Sequence, residues 1–134
     1  MKKRLMVVDD EELILKTLER VLVNEGYDII TASSGEEALA KLELFDVHVF
    51  MLDLNMPGMS GVELCGKIRE KSPLRIIYAL TGYVDDFTVE TCRSAGFDDY
   101  FTKPFKVEEM LEAAEDAFDK LLRWEINQKL ADDS

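Results

Sequence analysis

At 134 residues the chain is long enough to bury one substantial core and too short for two, so a single domain is expected. A formal net charge of −12 argues against nucleic-acid binding, because phosphate contacts need a basic face. With 47% hydrophobic and 33% charged residues, and no apolar run of membrane-spanning length, the composition implies a soluble, cytosolic protein with no membrane partner. The first apolar run, Leu5 to Val8, follows Lys2-Lys3-Arg4 and ends at once in Asp9, Asp10, Glu11 and Glu12, too early for a signal peptide. It reads as a short buried strand ending in acids. Leu13, Ile14, Leu18, Val21 and Leu22 then recur at helical spacing until Gly26, a natural stop.

Ile29-Ile30-Thr31 predicts a second strand, and Ser34 followed by Glu37 is a capping-box spacing that opens a helix with Ala38, Leu39 and Leu42 inward. Val47 to Leu52 is a third apolar run, ending in Asp53 and followed by a turn cluster of Asn55, Pro57, Gly58, Ser60 and Gly61. Taken alone, Asp53 could cap that turn or point into a crevice at the strand end. Ser60 and Glu63 repeat the capping spacing, and the helix they open is ended by Ser72-Pro73. Arg75 to Leu80 is a fourth run, ending in Thr81-Gly82. A helix over roughly Asp85 to Ala95 is closed by Gly96. A last strand near Asp99 to Thr102 ends in Lys103-Pro104, a pair expected to be cis and to aim the lysine.

Strand and helix alternate five times with short connections. That pattern predicts an α/β fold: a doubly wound, five-stranded parallel sheet in the order 2-1-3-4-5, flavodoxin-like, with an extended C-terminal helix from about Lys106 to Leu130. The switch point then falls between the strands ending in Asp9-Asp10 and in Asp53. Four strand tips would gather acids, a hydroxyl and an ammonium at one edge, a site for a divalent cation and a phosphoryl group. Cys65 and Cys92 lack a CxxC or a histidine partner and read as reduced thiols. His48, the only histidine, reads as a satisfied core or edge residue of the central strand. Lys67, Arg69, Lys71 and Arg75 read as a solvated face, and the methionines near Asp53 as packing.

With these residues assembled, LMVVDDEE, MLDLNMPGMSG, ALTG and YFTKPF make the chain resemble the receiver domains of two-component response regulators, including the single-domain chemotaxis type. The resemblance runs from Lys3 to about Leu122, giving a receiver over residues 1–122 and an extension over 123–134. It implies that Asp53 accepts a phosphoryl group from a histidine kinase or phosphotransfer protein. Mg²⁺ would be held by Asp9, Asp10, Asp53 and the carbonyl of Asn55, with Asp9 acting largely through water. Thr81 and Lys103 would bind phosphoryl oxygens, Thr81 and Tyr100 would form the switch, and Gly82 and Tyr83 would control access. The plainer alternatives, less favoured, are Tyr100 as strand filler and Lys103 as a surface lysine before a turn.

Such a domain is a switch and no enzyme beyond its own phosphorylation and dephosphorylation. Its output, to a partner or an attached domain, would pass through the face of the fourth helix, last strand and last helix. Tyr83 is bulky where it could shield the phosphoryl group, which predicts slow autodephosphorylation. Glu112, Glu115, Asp116 and Asp119 on the last helix argue against the paired-receiver dimer of the DNA-binding branch, though a dimer of another kind stays open. Beyond Leu122 the helix leads either to an output domain or belongs to a stand-alone regulator.

One rival is a haloacid dehalogenase-like, Mg²⁺-dependent phosphatase, which needs a second acid where this chain has Asn55. Another is a flavin-binding module, disfavoured by acids where its phosphate loop would lie. A third is a degenerate receiver serving only as a docking platform, which the filled site positions argue against.

Overall fold

The computed structural model describes residues 2–82 and 89–133. Among these, strands and helices alternate as β1 (Arg4–Val8), α1 (Glu12–Asn24), β2 (Asp28–Ala32), α2 (Gly35–Leu42), β3 (Val49–Asp53), α3 (Gly61–Lys71), β4 (Ile76–Thr81), α4 (Val89–Ala95), β5 (Asp99–Thr102) and α5 (Val107–Asp133). The five strands form one parallel sheet in the order β2-β1-β3-β4-β5, as the alternation predicts. Residues 85–88 of the expected fourth helix lie outside the described residues.

Successive side chains of a strand point to opposite faces, and this period sorts the core into two layers. Leu5, Val7, Val49, Met51, Ile76, Tyr78 and Leu80 pack with Leu15, Leu18 and Leu22 of α1 and Met110, Ala114 and Phe118 of α5. Their alternates Met6, Val8, Phe50, Leu52, Ile77 and Ala79 pack with Ala38, Leu64, Cys65, Ile68 and Cys92 from α2, α3 and α4. With both faces covered, β1, β3 and β4 have to be apolar throughout. Each of these large side chains contributes roughly 2 kcal/mol by leaving water, against about 1 kcal/mol for a helix cap. The apolar runs therefore set the register, and the caps trim the helices.

Gly26 and Gly96 adopt φ of 94° and 101° just past α1 and α4, where a side chain would strain the turn. Ser34 accepts from the Glu37 amide at 3.1 Å, but the return bond goes one residue further back than a capping box requires. The Glu37 carboxylate accepts from the amide (3.1 Å) and hydroxyl (2.8 Å) of Ser33. These bonds, with Lys41, hold its pKa down to about 2. Ser60 caps α3 through the Glu63 amide at 3.2 Å.

Two expectations need correction. Arg69 is no part of a solvated face: its guanidinium donates to the carbonyls of Gly96 (2.9 Å), Pro73 (2.9 Å) and Arg75, and to the Asp98 carboxylate (2.7 Å). It ties the end of α3 to two loops. His48 precedes β3 and is not satisfied; its Nε2 lies 3.4 Å from Asp46, and its buried Nδ1 has no hydrogen-bond partner. Burial and then the Arg75 charge hold its pKa below the ordinary value. Cys65 and Cys92 are free and buried, and burial pushes both thiols up to about 11.

At 27 residues α5 is about 40 Å long. Up to Phe118 its inner face is buried, whereas Leu122, Ile126 and Leu130 are about half exposed or more, and Trp124 borders a cleft with Leu74 and Leu121. Among the described residues no helix is long and apolar enough to cross a membrane.

Candidate functional site

The sheet register brings the polar strand ends together. Val8 pairs with Leu52, so the next residue, Asp9, stands level with Asp53. Asp53 pairs with Leu80, and Thr81 pairs with Thr102, so Thr81 and Lys103 each follow by one residue. The Lys103 amide donates to the Thr81 carbonyl at 2.7 Å, and the Lys103–Pro104 peptide is cis, as expected. The hydrogen bond to Thr81 holds the Lys103 backbone beside the tip of β4. The four strand ends expected to meet do meet.

Asp9, Asp10 and Asp53 each offer a carboxylate oxygen within 4.8 Å of the others. Asp9 and Asp53 are buried and Asp10 is exposed, so the cluster opens to solvent on one side. The Asp9 carboxylate accepts the Glu11 amide at 2.9 Å, which starts α1, and Asp53 accepts the Asn55 amide at 3.1 Å, which turns the chain out of β3. Each acid is thus braced by the backbone that follows it. Burial first, then the charge of Asp9, pushes the Asp53 carboxyl up to about 6; the Asn55 amide and Lys103 oppose the rise.

The Lys103 ammonium lies 2.8 Å from Asp9 Oδ2, 3.5 Å from Asp53 Oδ1 and 3.6 Å from Glu11 Oε1. Burial works against its charge, but the contact with Asp9 and the charges of Asp53 and Glu11 outweigh that and hold its pKa above the ordinary lysine value. The Asp9 contact is an ion pair by distance, yet Asp9 Oδ2 has no aligned hydrogen bond. At an effective dielectric constant near 20, two carboxylates 4 Å apart repel by about 4 kcal/mol. One ammonium leaves negative charge in excess. An all-oxygen donor set with a buried carboxylate oxygen lacking a hydrogen bond fits a hard divalent cation such as Mg²⁺.

Thr81 is buried at the end of β4, Gly82 is exposed after it, and Tyr83 lies outside the described residues. Tyr100 is half-buried on β5 and packs against the core layer of α2, α3 and α4; its amide donates to Asp99 at 2.8 Å. Asn55 is exposed two residues past the end of β3. Two features escaped the sequence. Glu11 joins the acids around Lys103, although the two-residue spacing from Asp9 was a usable sign. Gly61 is pressed against the backbone of Asp53.

The response regulator receiver domain family model matches residues 5–115. The alkaline phosphatase synthesis transcriptional regulatory protein PhoP of Bacillus subtilis is 41% identical over 110 residues, covering 82% of this chain and 46% of that protein. The chain spans half or less of the length of the first curated relatives it matches. A CheY-like receiver domain protein from Methanospirillum hungatei shares the fold with a TM-score of 0.83 and 30% identity, over 92% of this chain and 98% of that one. The response regulator TrrA of Thermotoga maritima, solved in complex with Mg²⁺-BeF, has a TM-score of 0.77 and 38% identity over 87% of this chain and 99% of that one. With the strand order, the converging tips and a match over most of its length in agreement, the chain belongs to the response regulator receiver domain family.

Proposed function

We propose that this receiver is switched by phosphorylation of Asp53, with a phosphohistidine of a histidine kinase or phosphotransfer protein as donor. The observation that carries the reading is the meeting of Asp9, Asp10, Asp53 and Lys103 at one sheet edge. An Asp53 oxygen forms the new P–O bond as the donor's P–N bond breaks; the electron pair stays on the imidazole, which takes up a proton. Asp9, Asp10, Asp53 and the Asn55 carbonyl would hold Mg²⁺, which when bound supplies positive charge against the phosphoryl oxygens. Lys103 neutralises a further oxygen, and the Thr81 hydroxyl donates to another.

Once Asp53 carries the phosphoryl group as an acyl phosphate, its carboxylate charge is replaced by a phosphoryl dianion. Lys103 then has a reason to leave Asp9, and Thr81 to turn inward. Tyr100, on the same strand β5 that leads to Lys103, follows into the space released, and the face of α4, β5 and α5 changes. That face carries the output, either to a separate protein or through residues 123–134 to an attached domain. In this reading the domain works in the cytoplasm, turns over no small substrate, and contacts no nucleic acid itself. The phosphatase alternative is not favoured, since residue 55 is an asparagine and the family match is to receivers.

Adding beryllofluoride with Mg²⁺ and recording amide NMR shifts tests the proposal. Shifts centred on Asp53, Thr81 and Lys103 and spreading to Tyr100 are expected. No Mg²⁺-dependent shift at Asp53 would overturn it.

A further inference from the structure

Gly61 opens α3, and a Cβ built on it would collide with the Asp53 carbonyl oxygen and lie 2.9 Å from the Leu54 Cα and 3.0 Å from the Asp53 carbonyl carbon. All three are backbone atoms, which cannot swing aside as a side chain could. The conformation is not the reason for glycine, since Gly61 is absent from the residues of positive φ. Space is the reason.

The same residue closes a loop. β3 ends at Asp53, and the Leu54 amide donates to the Leu80 carbonyl of β4 at 3.0 Å. The chain then runs out through Asn55 and returns at Gly61, whose amide donates to the Leu54 carbonyl at 3.3 Å. The loop bearing Asn55 therefore starts and finishes at one point, directly behind the Asp53 side chain. Gly66, in the same helix, meets nothing within 4 Å at its Cβ position.

We infer that Gly61 is a positioning residue: its bare Cα lets α3 seat against the tip of β3, and this seat holds Asp53 and the Asn55 loop in register with Asp9 and Lys103. The inference rests on the phosphoacceptor reading of Asp53. An alanine at Gly61 must push the strand tip and the helix apart by roughly 1 Å to reach an ordinary carbon contact. A displacement of that size at a reacting group can cost about a hundredfold in rate.

The test compares Gly61→Ala with Ser60→Ala, which removes the α3 cap without adding bulk, and Gly66→Ala, which adds a methyl in open space. Mg²⁺ affinity is measured by calorimetry, and phosphorylation by acetyl phosphate is followed by intact mass. Gly61→Ala is expected to weaken Mg²⁺ binding at least about tenfold and to slow phosphorylation by about a hundredfold. Ser60→Ala is expected to lower the melting temperature with both site readouts unchanged, and Gly66→Ala to change neither. If Gly61→Ala is unfolded in buffer, the titration is repeated in trimethylamine N-oxide, which favours the compact state. Wild-type Mg²⁺ affinity and rate in folded Gly61→Ala would overturn the inference while leaving the acceptor reading intact. Failure of the wild type itself to take a phosphoryl group on Asp53 would instead overturn the acceptor reading.

Discussion

The Lys103 ammonium stands closer to Asp9, at 2.8 Å, than to Asp53, at 3.5 Å. The lysine serves as counter-ion to the acids and leans toward the more deeply buried one. A bound cation has to compete with it for Asp9. Replacing Lys103 with alanine removes both the counter-ion and the competitor. Lys103→Ala is expected to destabilise the metal-free protein by about 2 to 4 kcal/mol, near the cost of breaking a buried pair. It should also bind Mg²⁺ more tightly than wild type. Urea unfolding with and without Mg²⁺, and calorimetric titration, check both halves; unchanged Mg²⁺ affinity would remove the competition.

A carboxyl raised to about 6 in the folded state makes stability depend on pH with a definite sign. Below the unfolded value of about 3.9 both states are protonated and Asp53 costs nothing. Between there and about 6 the unfolded chain ionises easily while burial keeps the folded carboxyl protonated, so stability is lost as pH rises and the loss is complete above 6. The loss reaches at most about 3 kcal/mol, and less to the extent that Asp9 and Lys103 titrate with it. Asp53→Asn should therefore be more stable than wild type at pH 7.5 without metal, and the gap should close by pH 4. Mg²⁺ should narrow it at pH 7.5. A gap independent of pH would show that burial of the ionised acid is not its source.

Arg69 gathers carbonyls and a carboxylate from two loops remote from the site, with part of its guanidinium exposed. Arg69→Ala should cost about 2 kcal/mol in chemical unfolding, since it leaves half-buried acceptors unpaired. Arg69→Lys should recover little of this, because an ammonium cannot span the same set of partners. Mg²⁺ affinity should not move in either variant.

Tyr83 follows Thr81 by two residues in the sequence, and the receiver resemblance implies that this position controls access to the phosphoryl group. Tyr83→Ala is expected to shorten the lifetime of phosphorylated Asp53 several-fold, followed as decay of the phosphorylated mass after donor removal. An unchanged decay would show that Tyr83 does not control water access.

What the chain disclosed in advance follows from which forces are local. A buried parallel strand must be apolar throughout, so β1, β3 and β4 stood out, and the polar residue ending each run marked a strand tip. The alternation with helices then left few ways to arrange them, and Asp9, Asp10, Asp53, Thr81 and Lys103 fell on one edge. Contacts set by reach through space stayed hidden. Arg69 lies among alternating charges that resemble a solvated face, and only the folded chain brings the carbonyl of Gly96 to it. Gly61 sat in a cluster of turn residues where any glycine looks like a turn former, whereas the reason for it is a strand tip passing behind. Likewise nothing in the order of residues says that Lys103 favours Asp9 over Asp53, because that choice depends on side-chain depth.

The most direct measurement is an intact-mass time course with acetyl phosphate on wild type and Asp53→Asn, each with Mg²⁺ and with chelator, followed by peptide mapping. The expected result is one added phosphoryl group per wild-type chain, mapped to Asp53, dependent on Mg²⁺ and absent from Asp53→Asn. Equal phosphorylation of the two proteins, or a phosphoryl group mapped elsewhere, would contradict the assignment of Asp53 as the acceptor.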